Sequence, residues 1–130
     1  MDGRAVMVTG LSGSGKSDLA LRLLDRGFTL VSDDRTVVKR EGTRLIAAAP
    51  VNIAGKLEIR GIGIVEVPHV ENIPVALLVE LTGDIPRLPD DIRERPILGI
   101  ELPLVSVDAM TASAPSKVAL ALDLIGLRFQ

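Results

Sequence analysis

The chain has 130 residues, a formal net charge of −2, and a composition that is 47% hydrophobic and 25% charged. This length is typical of one domain, and these proportions are typical of soluble globular proteins. A slightly acidic chain without cysteine and with one histidine excludes a strongly basic nucleic-acid surface, disulfides, thiolate metal sites and multi-histidine metal sites. No apolar run approaches the ~18 residues of a membrane span. We therefore expect a cytoplasmic protein without a nucleic-acid or membrane partner.

The first part of the chain predicts a strand, a glycine-rich loop, a helix and a second strand. Residues 5–9 are an apolar run that ends in glycine, which is typical of a buried strand. Residues 10–15 form the loop, and residues 16–26 carry apolar side chains near helical spacing up to Gly27. Residues 28–31 predict the second strand, which leads directly into Ser32, Asp33 and Asp34.

The remaining chain predicts mainly strands, followed by a closing amphipathic helix. In chain order we expect a hairpin over residues 37–48, glycine-rich strand structure over 57–67, a strand over 75–81, a mobile polar loop over 83–96, one or two short strands over 97–109, and the helix over 116–127. This order predicts an α/β domain with a mixed sheet.

The loop after the first strand carries a phosphate-binding motif. Gly10 to Ser17 match G-x-x-x-x-G-K-[ST], whose glycines let backbone N–H groups turn around a phosphate. The lysine of such a motif contacts the β- and γ-phosphates, and its serine hydroxyl can hold Mg²⁺. The candidate nucleotide-binding residues are Gly10, Ser12, Gly13, Ser14, Gly15, Lys16 and Ser17.

Two adjacent carboxylates, Asp33 and Asp34, follow the second predicted strand. In a parallel β–α–β unit both strands end at the same edge of the sheet, so we expect this pair beside the phosphates. One carboxylate could bind metal or orient the network while the other accepts a proton from an attacking hydroxyl. The alternative is a simple Asp-Asp turn, and the residues alone do not divide the roles.

Charged residues further along the chain are candidates for metal and phosphate contacts. Strand alternation places Glu58 and Arg60 on one face, with glycines beside them that allow close backbone approach. Glu58 could be a second Mg²⁺ ligand and Arg60 a charge partner; an ordinary edge strand with a solvated face is the alternative. Arg87, Arg93 and Arg95 in the polar loop could reach a transferred phosphate, or could simply be solvated.

Residues 10–21, 27–34 and 57–64, in this order, resemble the catalytic domain of the HPr kinase/phosphorylase family. That family joins a P-loop to the patterns R-G-h-x-L-V-A-D-D and E-I-R-G-h-G-I. The resemblance covers residues 4–67 and extends to the order of strands and helices beyond them. It implies a P-loop kinase fold similar to the nucleotide site of phosphoenolpyruvate carboxykinases. It also implies an ATP- and Mg²⁺-dependent kinase that phosphorylates a serine of the phosphocarrier protein HPr and so regulates bacterial phosphotransferase metabolism.

The resemblance also implies roles for single residues. Asp33 would be the catalytic base, Lys16 the phosphate contact, and Ser17 and Glu58 the Mg²⁺ ligands, whereas Asp34 and Arg60 match motif positions of less specific role. Residues 1–130 look like the short, single-domain form of the family, and the hexamers of long relatives make a homo-oligomer a candidate state. Many members also run the reverse phosphorolysis. Residues 110–117 lack the arginines that long members carry there, which leaves that reaction open.

Two readings compete with the kinase. A nucleotide-binding regulator would sense ATP and signal by contact, and it would need Lys16 and Ser17 but not Asp33. A degenerate domain would bind nucleotide without turnover. A GTPase is disfavoured because the chain contains no N-K-x-D segment to read guanine.

Overall fold

The computed structural model describes residues 1–11, 13–83 and 93–129. Its strands are β1 (Ala5–Thr9), β2 (Val37–Glu41), β3 (Arg44–Ala48), β4 (Lys56–Ile59), β5 (Gly63–Glu66), β6 (Ile73–Leu81), β7 (Glu94–Ile97) and β8 (Ile100–Val107). Its helices are α1 (Lys16–Leu24) and α2 (Ala114–Ile125), and a short 3-10 helix covers Val51–Ile53. None of the helices in these ranges is long and apolar enough to cross a membrane.

Strand β6 is the centre of a six-stranded mixed sheet. The strand order is β2-β3-β6-β8-β7, and β1 also pairs with β6. Strand β6 runs parallel to β1 and β8 and antiparallel to β3. Its continuous apolar sequence is typical of a parallel strand that is covered on both faces. Because β1, β6 and β8 are parallel, their carboxyl ends meet at one edge, and the glycine-rich loop follows β1 there.

The sheet separates two aliphatic cores. One lies under the two helices, where Leu19 of α1 and Val118 of α2 pack on the Val79 side of β6. The other contains Leu45 of β3, Leu78 of β6 and further leucines of β8. Phenylalanine occurs at two positions and tryptophan and tyrosine at none, so leucine, valine, isoleucine and alanine fill both cores as the composition predicts.

The second predicted strand is the main error of the sequence interpretation. Residues 28–31 form no strand; Leu30 makes only an isolated parallel bridge with His69. Strand β1 takes β6 as its parallel partner, so the expected β–α–β unit with residues 28–31 is wrong. Strand propensity depends on a neighbour to pair with, and within the described residues this segment pairs only at Leu30, which bridges His69 and accepts from the Val70 N–H.

Two other boundaries differ from the predictions. The predicted strand over residues 57–67 is a hairpin, in which β4 and β5 form a separate two-stranded sheet. The end of the predicted polar loop is strand β7, which pairs with β8. The rest of that loop, residues 84–92 with Arg87, lies outside the described residues.

A buried arginine joins the start of the chain to the end of α2. The Arg4 side chain is 5% exposed, and its Nη1 donates to the carbonyl oxygens of Leu122 at 3.1 Å and Leu127 at 3.2 Å. Its Nε and Nη2 donate to both carboxylate oxygens of Asp2, at 2.8 and 3.0 Å. This hydrogen bonding holds the pKa of the Asp2 carboxyl below its ordinary value. The Leu122 carbonyl in the last turn of α2 thereby gains a donor in addition to the Gly126 N–H, and the Leu127 carbonyl beyond the helix gains one as well.

We expect Arg4→Met to lower the free energy of unfolding by about 1–3 kcal/mol, because it removes the hydrogen bonds that a buried arginine donates to the Leu122 and Leu127 carbonyl oxygens. The measurement is urea denaturation at neutral pH. The matched control is Arg128→Met, which removes an exposed hydrogen bond to the carbonyl of Asp123 and should change stability by less than about 0.5 kcal/mol. Equal effects of the two variants would contradict the structural role of Arg4.

Candidate active site

The loop between β1 and α1 is shaped by glycines with left-handed backbone. Gly13 has φ 80° and Gly15 has φ 95°, values that residues other than glycine rarely adopt. Gly15 stands at the N-cap of α1, and among the described residues no side chain caps the helix there. The first N–H groups of α1 are therefore open to an anion, and the helix dipole favours negative charge at this end.

The same loop packs closely against the ends of the parallel strands. A Cβ on Gly10 would lie 2.7 Å from Ser14 Oγ and 3.2 Å from Leu81 Cβ, and one on Gly15 would lie 3.2 Å from Ala109 Cβ. The Ser14 hydroxyl is buried and has no hydrogen-bond partner within the described part of the chain. A buried hydroxyl without a partner fits a loop whose polar groups are completed by a bound phosphate.

Lys16 and Ser17, the motif residues predicted to contact phosphate and Mg²⁺, begin α1. Lys16 Nζ donates to the carbonyl oxygen of Gly10 at 3.1 Å, so the ammonium group folds back over the loop. Ser17 Oγ donates to Asp33 Oδ1 at 3.0 Å. The structure therefore places Asp33 beside the end of the phosphate loop, although no second strand leads to it.

A third element completes the surroundings of Asp33. The backbone N–H of Glu58 in β4 donates to Asp33 Oδ2 at 3.0 Å. The two oxygens of one half-buried carboxylate thus accept from two different elements, α1 and β4. From the sequence, Glu58 is a candidate Mg²⁺ ligand through its side chain. The sequence does not predict this backbone contact, because no residue type marks a backbone N–H group.

The Ser17 hydroxyl and the Asp33 carboxylate form a donor set of hard oxygens, which suits Mg²⁺. The backbone amide of Glu58 contacts Asp33, and the side chain of the same residue is exposed. Glu58 is therefore a further candidate ligand. Within the described ranges no group of three or more His, Cys, Asp or Glu side chains could hold a metal ion. Mg²⁺ commonly completes a small protein donor set with phosphate oxygens and water, which agrees with this arrangement.

Two predicted site residues lie at the exposed rim. Asp34 has a left-handed backbone with φ 58°, and its carboxylate, 82% exposed, lies 4.0 Å from Arg35 Nε. Arg60 is exposed and follows the end of β4 in the turn toward β5. The expected alternation of Glu58 and Arg60 along one strand face is therefore wrong, because the strand ends between them at Ile59.

Arg93 and Arg95 contact side chains near the carboxyl ends of β6 and β8. Arg95 Nη2 lies 2.7 Å from Glu80 Oε2, while Arg93 Nη1 donates to Ser106 Oγ at 2.7 Å and its Nη2 lies 4.0 Å from Glu80 Oε1. Sequence reasoning missed Glu80, although a carboxylate near the end of an otherwise apolar strand is a visible signal. Glu80 is the register partner of Thr9 in β1, the residue before the glycine-rich loop. Ser12 of the motif lies outside the described residues.

A cleft of about 420 Å³ opens between β1, α1 and residues 27–36. Its polar end contains Lys16, Ser17, Asp33 and Asp34. The rest of its lining is mixed: it includes Asp2 and Arg4 as well as apolar side chains such as Val6, Leu23 and Leu30. The cleft therefore offers space for a bound group directly beside the Ser17–Asp33 contact.

The family described as HPr Serine kinase C-terminal domain matches residues 1–122. The chain belongs to this family. An HPr kinase/phosphorylase of Chlorobium limicola is 37% identical over 142 aligned residues, which cover 98% of this chain and 42% of the relative. An HPr kinase/phosphorylase of Clostridium tetani is 40% identical over 81 residues, which cover 62% of this chain and 27% of the relative.

A solved HPr kinase structure has the same fold. The HPr(Ser) kinase/phosphatase from Coxiella burnetii superposes with a TM-score of 0.83 at 31% sequence identity, over 95% of this chain and 83% of that chain. The predicted P-loop kinase fold with a mixed sheet is thereby confirmed, as is the resemblance to the HPr kinase family. The chain spans about two fifths of the length of the Chlorobium limicola relative, which matches over 42% of its length.

We expect Gly15→Ala to abolish nucleoside triphosphate binding, because the added Cβ meets both a left-handed backbone and Ala109 at 3.2 Å. Gly42→Ala is the matched control: its φ is +63° and its Cβ would have nothing within 4 Å. The control should lose only about 1–2 kcal/mol of stability through backbone strain. Calorimetric titration with ATP and urea denaturation measure both effects, and ATP binding by Gly15→Ala at the affinity of the unchanged protein would contradict this prediction.

Proposed function

We propose that this chain is a cytoplasmic, ATP- and Mg²⁺-dependent serine kinase whose substrate is the phosphocarrier protein HPr. The observation that carries the proposal is the hydrogen bond between Ser17 Oγ and Asp33 Oδ1, which brings a carboxylate to the phosphate loop. The names of the family and of its similar members supply the acceptor. We further propose that residues 1–130 act as a single catalytic domain, since β6 contributes to both cores.

The P-loop residues would bind and orient the donor. Backbone N–H groups around Gly13 and Gly15 and the ammonium group of Lys16 would hold the β- and γ-phosphates. Lys16 would exchange its present hydrogen bond to the Gly10 carbonyl for phosphate oxygens. Ser17 and Glu58 would hold Mg²⁺, which when bound neutralises charge on the phosphates.

Asp33 would act as the general base. The acceptor serine oxygen attacks the γ-phosphorus, the bond to the β–γ bridging oxygen breaks, and the serine proton passes to the Asp33 carboxylate as ADP departs. A carboxylate has about four acceptor positions, and here two are occupied by Ser17 and the Glu58 amide. Asp33 therefore keeps acceptor capacity for the hydroxyl of the substrate.

Other charged residues would support the transfer. We place Asp34 at the rim of the cleft and Arg60 in the β4–β5 turn as candidate contacts to the protein substrate, since both are exposed. Arg93 and Arg95 would reach a phosphate only after leaving Glu80. A non-catalytic ATP sensor would not require a carboxylate hydrogen-bonded to Ser17, so the Ser17–Asp33 contact favours the kinase.

The direct test is transfer of labelled phosphate from ATP to purified HPr with Mg²⁺. We expect Asp33→Asn to lower kcat by about 10²–10⁴-fold, because it removes the base, while ATP binding is retained. The control variant is Asp25→Asn, an exposed residue at the end of α1, which should leave the rate unchanged. An HPr variant without the acceptor serine should receive no label. Tight ATP binding with no transfer by the unchanged protein would refute the kinase and favour the sensor.

The metal assignment has its own test. We expect Ser17→Ala to raise the Mg²⁺ concentration needed for half-maximal transfer by about tenfold or more, because one oxygen ligand is lost. Ser116→Ala, which removes a surface hydroxyl that accepts from Arg26, is the control. An unchanged Mg²⁺ dependence in Ser17→Ala would show that Ser17 is not a ligand.

A further inference from the structure

Two separate segments determine the geometry of Asp33. The carboxylate itself follows the segment that contains Leu30, and one of its two hydrogen-bond donors is the backbone amide of Glu58 in β4. The relative placement of these segments therefore decides how far the amide lies from Asp33 Oδ2. A contact that holds both segments would control the orientation of the carboxylate.

The β4–β5 hairpin is not part of the six-stranded sheet. No strand ladder within the described residues fixes it to β6 or its neighbours. It is attached instead through Leu57, whose side chain is fully buried, and through packing of β4 against α1. At the base of the hairpin the Val67 N–H donates to the Gly55 carbonyl at 2.8 Å, which extends the pairing of β4 with β5 by one hydrogen bond.

The ring of His69 lies directly against that base. Gly55 is buried and has φ +76°, and a Cβ there would lie 2.7 Å from His69 Nδ1 and 3.0 Å from Cε1. Only a residue without a side chain permits this approach of the imidazole to the backbone. The imidazole of His69, an exposed residue, thus lies close to one side of the hairpin base.

The backbone around His69 holds the other segment. His69 forms the isolated parallel bridge with Leu30, and the Val70 N–H donates to the Leu30 carbonyl at 2.9 Å. Leu30 is 6% exposed and lies shortly before Asp33. His69 therefore contacts the hairpin through its side chain and the Asp33 segment through its backbone.

We propose that His69 is a positioning residue for Asp33: its imidazole, packed on Gly55, sets the distance between the Glu58 amide and the Asp33 carboxylate. This inference rests on the proposed kinase function for its catalytic consequence, but not for its geometry. Among the described residues, His69 makes no hydrogen bond to the P-loop or to the Asp33 carboxylate, so its effect passes through the two segments. His69 acts as a spacer. This role requires the bulk of an aromatic ring and does not depend on protonation of the imidazole.

The first experiment needs no catalysis. Hydrogen exchange of the Glu58 amide, followed by NMR, reports its hydrogen bond to Asp33, and Asp33→Ala defines the rate without that bond. We expect His69→Ala to accelerate this exchange at least about tenfold, toward the Asp33→Ala rate, while the amide of Leu78 in β6 reports unchanged global stability. His69→Phe, which restores a ring, should return protection, and Glu71→Ala, an exposed neighbour, should not alter it.

Unchanged Glu58 exchange in His69→Ala would overturn the inference, as would failure of His69→Phe to restore protection. Equal acceleration at Glu58 and Leu78 would also overturn it, because that pattern means general destabilisation.

The second experiment measures phosphate transfer to HPr by the same variants. We expect kcat of His69→Ala to fall about 10–100-fold with an unchanged KM for ATP, because small displacements of a catalytic group cost up to about 10²-fold. His69→Phe should recover most of the rate. An unchanged kcat in His69→Ala would overturn the catalytic part of the proposal. Absence of transfer by the unchanged protein would refute the kinase, whereas the exchange result would still decide the geometry.

Discussion

The parallel pairing of β6 with β1 and β8 is the constraint on which the rest of the molecule depends. It buries β6 on both faces, so apolar layers form above and below it. It also makes three strands end at the same edge, where the loop after β1 packs against Leu81 and Ala109. The phosphate loop can be short and rich in glycine because these strand ends support it from below. The parallel direction of these strands therefore determines where the phosphate loop lies, independently of any catalytic side chain.

Within that frame, Asp33 is shared between elements that are remote in sequence. Its carboxylate accepts from the Ser17 hydroxyl and from the Glu58 amide. Each donor fixes one oxygen, which restricts rotation of the carboxylate and keeps it oriented before any substrate arrives. Preorganised polar groups of this kind need little rearrangement during reaction, which is the property that phosphoryl transfer requires of a protein.

The sequence was sufficient for the parts that depend on local pattern. The G-x-x-x-x-G-K-[ST] motif, the helix that follows it, the β2–β3 hairpin and the aliphatic core are all read from neighbouring residues. Asp33 was placed correctly beside Ser17, but for a wrong reason, since residues 28–31 do not form the expected strand. The resemblance to a family implies the role of Asp33 as a base, whereas its position was predicted from strand order alone. Pairing partners at long separation, such as β1 with β6, leave no periodic signal in either segment.

The features that sequence reasoning missed all depend on contacts between distant segments. The amide of Glu58 is a backbone group, so no residue type marks it. No residue pattern marks Arg4, whose partners are carbonyls in the last turn of α2 and just beyond it, at the other end of the chain. Glu80 lies in an otherwise apolar strand, so its sequence does not predict that it pairs with Arg93 and Arg95.

The purely aliphatic cores have a practical consequence for spectroscopy. With two phenylalanines, no tyrosine and no tryptophan, the polypeptide contributes almost no absorbance or fluorescence in the near ultraviolet. A purine held in the cleft would dominate the ultraviolet spectrum of the purified protein, so nucleotide occupancy can be read directly from a solution. Leucine, valine and isoleucine methyl groups lie on both sides of β6 and provide NMR probes throughout the interior. With two aromatic residues in the chain, ring currents shift few of these methyl resonances.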